Sequence, residues 1–312
     1  MVERVHLLTE DAYDFLGHAV VVRSNSPAVR DHLRSVYGSF LRATNAVPGT
    51  GREREPPPHV ITVLDDIATT QELHLSDTFQ SYRLRCTDAY TFDHTYYRSS
   101  TVPDPLTYVQ WMVLTSVALL AREFHFFHAG SVAWRGQAMI FPAVSGRGKT
   151  TLTLKLATHG FQFLSDEVAC VRCDNQIVEP FPRRLNLSDA SRQLLGLPEW
   201  PTAGVRTLRT REWVLDIATL APESRGAPCP LRWVIFLEGF GPAPHLDILG
   251  TADALRRLPA FSLRPVQDPA AFLFQLASVF PAASCYKLTV GPVEATAELL
   301  LRLATQEIGG SS

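Results

Sequence analysis

The sequence predicts an α/β protein in two parts, a small N-terminal α/β domain over residues 1–103 and a larger α/β domain over 104–312. Three observations carry this expectation. Short apolar segments of strand length alternate with longer stretches of helical spacing. A glycine-rich loop, A-V-S-G-R-G-K-T from Ala143 to Thr150, stands between one such strand and one such helix. With 312 residues, 46% of them hydrophobic, the chain can bury one large core or a core with a smaller satellite.

The elements follow in order. Ala19 to Val22 reads as a strand, and Ala28 to Leu41 as an amphipathic helix with Pro27 in its first turn and Ser26 as its cap. Pro48 to Pro58 is a loop rich in proline, glycine and charge. Val60 to Leu64 and Gln80 to Cys86 read as strands, the second alternating as Tyr82, Leu84, Cys86. From Asp104 to Glu123 the spacing of Leu106, Val109, Trp111, Val113, Leu114 and Val117 predicts a largely buried helix that joins the two parts. Gly130 to Trp134 and Gln137 to Phe141 form a hairpin about Arg135-Gly136 and lead into the glycine-rich loop. Thr150 to Thr158 then has helical spacing, with Gly160 as its stop. One strand runs from Phe163 through Val168 to Arg172; Arg232 to Leu237 and Cys285 to Val290 follow as strands. Ala252 to Leu258, Pro269 to Val279 and Val293 to Leu303 read as helices, with loops at Pro198 to Gly204 and Ala221 to Pro230.

Composition narrows the function. The 29 basic and 31 acidic residues nearly balance and form no basic stripe, which argues against a nucleic-acid partner. The first residues, with Glu3 and Glu10 among them, do not resemble a signal peptide. The apolar stretch Leu106 to Leu120 is too short for a bilayer of roughly 30 Å, so no membrane partner and a cytoplasmic location are expected. Five cysteines, an odd number, read as free thiols; Cys170-x-x-Cys173 lacks the second pair that a zinc site requires.

The loop has the chemistry of a Walker A motif, with Ala143 where the pattern has its first glycine. Gly146 and Gly148 let successive N–H groups converge on phosphate oxygens at the positive end of the next helix. The cofactor-binding set is Ala143, Val144, Ser145, Gly146, Arg147, Gly148, Lys149, Thr150 and Thr151, and the cofactors are ATP and Mg²⁺. Lys149 would reach the β and γ phosphates and the Thr150 hydroxyl would ligate Mg²⁺. Asp166-Glu167, at a strand end after the helix, offers one carboxylate for the metal and one for a hydroxyl proton.

The stretch His128 to Val171 resembles the catalytic core of HPr kinase/phosphorylase and its relatives, a family of P-loop serine kinases. His128 stands 21 residues before Lys149, Gly160 closes the helix, and Asp166 and Glu167 stand 17 and 18 residues after Lys149, as in the family pattern. The resemblance implies a P-loop kinase core of the HPr kinase / PEP carboxykinase-like type, with His128 as its active-site histidine and Asp166 and Glu167 in its two-aspartate position. By alignment Glu167 inherits the proton-acceptor role, and the replacement of Asp by Glu leaves the choice between the two acids open. The segment Val178 to Leu187 resembles the family's proline-arginine element. It implies that Arg183 neutralises the transferring phosphate and that Glu179 joins Thr150 and Asp166 at the metal. The family's hexamers imply a homo-oligomer. Only Leu263 to Val266 stands where the family's loop for the reverse, phosphorylase reaction is expected, so HPr is not assumed as the substrate.

The reading is therefore an ATP-dependent kinase that phosphorylates a serine of a protein or peptide, with tailoring of a lasso-type precursor peptide among the candidates. Two others stand beside it: an ATP-binding regulatory protein without phosphotransfer, and a kinase of a small molecule such as free serine.

Overall fold

Alternation of apolar and polar residues over 9–24 builds a first hairpin, β1 (Thr9–Phe15) and β2 (His18–Ser24), in which Tyr13, Phe15, Val20 and Val22 are buried. The computed structural model describes residues 8–42, 59–65, 81–87, 92–97, 105–197, 205–206, 212–264, 266, 268–280 and 283–309. The expected loops at 48–58 and 198–204 lie outside these. β1 had not been expected from the sequence, because acids interrupt its apolar residues. Asp11 is nevertheless buried, and its carboxylate is held by Arg30 at 3.1 Å and Arg34 at 2.6 Å from the following helix.

That helix, α1 (Pro27–Tyr37), begins on Pro27 as expected, but the Ser26 side chain makes no cap bond; instead its N–H donates to Ser24 Oγ. A 3₁₀ turn, Gly38–Phe40, replaces the expected extension to Leu41. β3 (His59–Asp65) lies parallel to β2, and β4 (Ser81–Thr87) and β5 (Phe92–Tyr97) add antiparallel, giving the order β1-β2-β3-β4-β5. Helix α2 (Pro105–Leu120) buries Val109, Val113 and Val117. It receives a hydrogen bond from Tyr37 Oη at the Gln110 carbonyl, and its Gln110 Oε1 lies 3.2 Å from His32 Nε2. The chain accordingly divides into units 1–121 and 122–312, with this helix in the first unit rather than in the part expected to begin at 104.

The second unit is built on an eight-stranded sheet. β6 (Phe124–Trp134) and β7 (Gln137–Pro142) form the expected hairpin, with Arg135 and Gly136 at φ 48° and 75°, the positive pair that a two-residue type I′ turn requires. Helix α3 (Lys149–Thr158) follows and ends in a Schellman motif: Phe161 N–H donates to the Leu156 carbonyl and Gly160 N–H to that of Ala157. Beyond it, β8 (Gln162–Ser165) and β9 (Val168–Arg172) lie end to end along β6, with Ser131 opposite Ser165 and His128 opposite Val168. The single strand expected there is thus broken at Asp166-Glu167.

β10 (Ile177–Glu179) pairs with β9. A separate three-stranded sheet has the order β11 (Leu185–Ser188), β13 (Glu212–Leu215), β12 (Val205–Arg206). Short helices α4 (Asp189–Leu194) and α5 (Ile217–Leu220) flank it in sequence. β14 (Cys229–Phe240) then pairs in parallel with β7 and with β16 (Ser284–Val290), and β15 (His245–Ile248) closes the edge. The main order is β10-β9-β6-β7-β14-β16-β15, with β8 also on β6.

Residues of β7 and β14 alternate between two cores. Met139, Phe141, Trp233 and Ile235 pack with Leu152 and Leu156 of α3 and Ala297 and Leu300 of α8 (Val293–Gly309). Ala138, Ile140, Val234 and Phe236 pack with Ala254 of α6 (Thr251–Arg257) and Leu276 of α7 (Pro269–Val279). Helices therefore cover both faces of a mixed sheet, and the chain is mixed α/β. Among the described residues no helix is long and apolar enough to cross a membrane.

Gly130 sets the approach of α3 to this sheet. A Cβ there would stand 2.7 Å from Thr153 Cγ2 and 3.7 Å from Lys149 Cβ. Gly130→Ala is expected to destabilise the protein by about 1–3 kcal/mol in urea unfolding, and adding Thr153→Ser, which removes the opposing methyl, to recover most of it. An unchanged midpoint for Gly130→Ala would contradict this packing.

Candidate functional site

The break in the strand and the loop before α3 meet at one cleft of about 590 Å³. β7 delivers buried Ala143, and the chain turns through Gly146 and Gly148 at φ 80° and 84°, a conformation that a side chain would strain, before α3 begins at Lys149. Ser145, Gly146, Gly148, Lys149, Thr150 and Thr151 border the cleft; Ala143, Val144 and Arg147 belong to the loop but do not.

Lys149 folds back over its own loop. Its Nζ lies 2.8 Å from His128 Nε2 and donates to the carbonyls of Ala143 at 2.9 Å and Val144 at 3.1 Å. An ammonium has three protons, and three acceptors surround it. This pattern assigns His128 Nε2 as acceptor and puts the imidazole proton on Nδ1, which lies 4.0 Å from Glu167 Oε1. Burial, opposed by Asp166 and reinforced by Arg183, lowers the Lys149 pKa to about 8. Burial, then Lys149 and Arg183, pushes His128 down to about 4, so the imidazole is neutral near pH 7.

The two acids are presented by backbone. Ser165 Oγ accepts the N–H of Glu167 at 3.4 Å and of Val168 at 3.2 Å, and the Glu167 carbonyl accepts Ala129 N–H. Asp166 is 1% exposed. Its Oδ2 accepts the Thr150 hydroxyl at 2.9 Å, and its Oδ1 lies 3.5 Å from Arg183 Nε. Arg183 also donates through Nη2 to Glu167 Oε2, so one guanidinium spans both acids. The segment after β10 carries it there: Phe181 is fully buried edge-on to Phe126, and its N–H donates to the Leu164 carbonyl. Arg183 is only 4% exposed, borders the cleft, and its Nη1 has no hydrogen-bond partner among the described residues.

His128, Lys149, Thr150, Asp166, Glu167 and Arg183 are thus brought together. Glu179 is not. As the last residue of β10 it stands opposite Cys170 and holds Arg172 at 2.7 Å, away from the cleft lining. The metal role that the resemblance gave it has no geometric support, because its carboxylate is engaged by Arg172 and does not border the cleft. Among the described residues no group of three or more His, Cys, Asp and Glu side chains gathers as a metal cluster. Cys170 and Cys173 are free thiols, and burial raises the pKa of both.

Sequence reasoning missed a polar wall. Ser191 Oγ accepts from Thr151 Oγ1 at 2.9 Å and from Ser188 Oγ at 3.0 Å, and Asn186 lies beside them. Ser188 also caps α4 by accepting Ser191 N–H, a Ser-x-x-Ser signal that was available in the sequence. Phe240, Val290, Pro292 and Val293 form another wall.

No protein-family model and no curated protein matches the sequence. Among solved structures, the chain is similar to the Hpr(Ser) kinase/phosphatase from Coxiella burnetii, with 11% identity and a TM-score of 0.31, over 59% of this chain and 98% of that one.

Buried neutral His128 links stability to pH. Its folded pKa lies below the ordinary value of about 6.5, so the unfolded chain takes up the proton first as pH falls. The stability is fully present above about 6.5 and is lost from there down to about 4, at up to about 1.4 kcal/mol per pH unit. Urea unfolding between pH 7 and 4.5 is expected to fall off more steeply for the native protein than for His128→Gln. Parallel profiles would contradict a neutral buried imidazole.

Proposed function

We propose that this chain is an ATP-dependent kinase with a P-loop core of the HPr kinase / PEP carboxykinase-like type, transferring the γ-phosphate to a serine hydroxyl of a protein or peptide. The observation that carries the reading is Arg183 spanning Asp166 and Glu167 beside the N-terminus of α3. This places a buried cation, two carboxylates and a helix N-terminus around one small volume, as in-line phosphoryl transfer requires.

Each residue has a task that follows from its surroundings. The amides of Gly146 to Thr150 receive phosphate oxygens, and Lys149 exchanges three neutral acceptors for charged ones. The donor set fits Mg²⁺: Thr150 and Asp166 are hard oxygen ligands in contact, and Asp166 Oδ1 accepts no hydrogen bond among the described residues. Bound there, the ion would offset negative charge on the phosphates. Asp166 is occupied with Thr150, whereas Glu167 is more exposed and faces His128; these differences favour Glu167 as the group that takes the serine proton. Arg183 steers that carboxylate with Nη2 and offers Nη1 to the phosphoryl oxygens. His128 holds Lys149 before nucleotide arrives, and its Nδ1 faces Glu167 Oε1 at 4.0 Å.

Incubation with Mg-ATP and a library of serine-containing peptides, read by mass spectrometry, tests the reading. Phosphoserine is expected with the native protein. Lys149→Ala is expected to lose nucleotide binding, while Glu167→Gln keeps binding and loses transfer by about a hundredfold or more. ATP binding without phosphate on any peptide would favour a regulatory protein, and phosphate on a free metabolite would move the acceptor to a small molecule.

A further inference from the structure

The cleft has two walls of different chemistry, and the apolar one ends on an aromatic ring. Phe240, the last residue of β14, is 64% exposed. It lies against the phosphate loop: a Cβ on Gly148 would stand 3.7 and 3.8 Å from two of its ring carbons. Val290, Pro292 and Val293 continue this surface from the end of β16 into the start of α8. A planar apolar ligand group attached to phosphates in the loop would therefore find a stacking face within reach.

Among the described residues, several backbone groups of the same wall are already engaged. The Val290 carbonyl accepts Gly241 N–H at 2.8 Å, and Gly291 N–H donates to Thr296 Oγ1 at 3.1 Å. The Pro292 carbonyl accepts both Thr296 N–H and Thr296 Oγ1, and proline has no N–H. The charged side chain nearest in the loop, Arg147, runs beside Gly239 and does not border the cleft. The hydrogen-bonding side chains Asn186, Ser188 and Ser191 belong to the β11–α4 segment instead.

We infer that Phe240, with Val290 and Pro292, is the platform for the purine base of the donor nucleotide, and that the base is held by stacking without edge recognition. This deepens the kinase reading and rests on it. The donor site then selects a triphosphate and an aromatic face, so ATP and GTP serve comparably, and a pyrimidine nucleotide, with its smaller face, binds less tightly.

Equilibrium binding of ATP, GTP, CTP and inorganic tripolyphosphate to the full chain, native and with Phe240→Ala or Phe240→Trp, tests the inference. ATP and GTP are expected to bind within about threefold of one another, and Phe240→Ala to weaken both by about tenfold while leaving tripolyphosphate unchanged. Phe240→Trp is expected to retain affinity and to lose fluorescence on ATP but not on tripolyphosphate. Unchanged ATP and GTP affinity in Phe240→Ala, or an equal loss for tripolyphosphate, would overturn the stacking role. A preference for ATP over GTP above about a hundredfold would overturn the absence of edge recognition. Failure of the native protein to bind either ATP or tripolyphosphate would overturn the underlying phosphate-site reading, and this inference with it.

Discussion

Burying Asp166 beneath the first turn of α3 places a demand on the rest of the second unit. An uncompensated carboxylate at 1% exposure would cost several kcal/mol, and the cation that answers it, Arg183, is itself almost fully buried. Neither charge is tolerable without the other. The chain therefore returns from β10 with Phe181 anchored in the core, so that the guanidinium arrives between the acids. Such a pair adds little net stability over an apolar isostere. Its effect is positional: it fixes where the strand breaks, and through Thr150 it ties that break to the helix.

The same constraint orders the charges around it. Lys149, His128 and Arg183 converge on Asp166 and Glu167, and burial together with like charge drives the two titratable bases toward their neutral forms. In the free protein the lysine is held by a histidine nitrogen and two carbonyls of its own loop. On the proposed reading, an incoming polyphosphate would offer stronger, charged acceptors. Preorganisation here consists of a cation already held at the loop and a buried arginine, bordering the cleft, whose Nη1 makes no hydrogen bond among the described residues.

Much of this was legible in the sequence, for local reasons. Arg135-Gly136 dictates a two-residue hairpin, Gly146 and Gly148 a tight loop, and Gly160 a helix stop, each through backbone geometry that neighbouring residues alone decide. β1 was not legible, because Asp11 reads as a surface residue until Arg30 and Arg34 fold over it. Glu179 was misplaced because adjacency to Arg183 in sequence does not imply adjacency in space: strand pairing holds Glu179 on Cys170, and the turn after it carries Arg183 to the acids. Phe240 and Ser191 come from elements distant in the chain, and no local pattern announces that they border the same cleft.

The central claim is that Lys149, held by His128 in the free protein, is the group that meets the phosphates. The chain contains three lysines, Lys149, Lys155 and Lys287, so side-chain ¹³C and ¹⁵N NMR of lysine-labelled protein can follow each one. Lys149 is expected to titrate near pH 8 in the free protein and to rise toward the ordinary lysine value of about 10.4, or beyond it, when Mg-ATP is added. A Lys149 signal that titrates identically with and without saturating Mg-ATP would contradict the account.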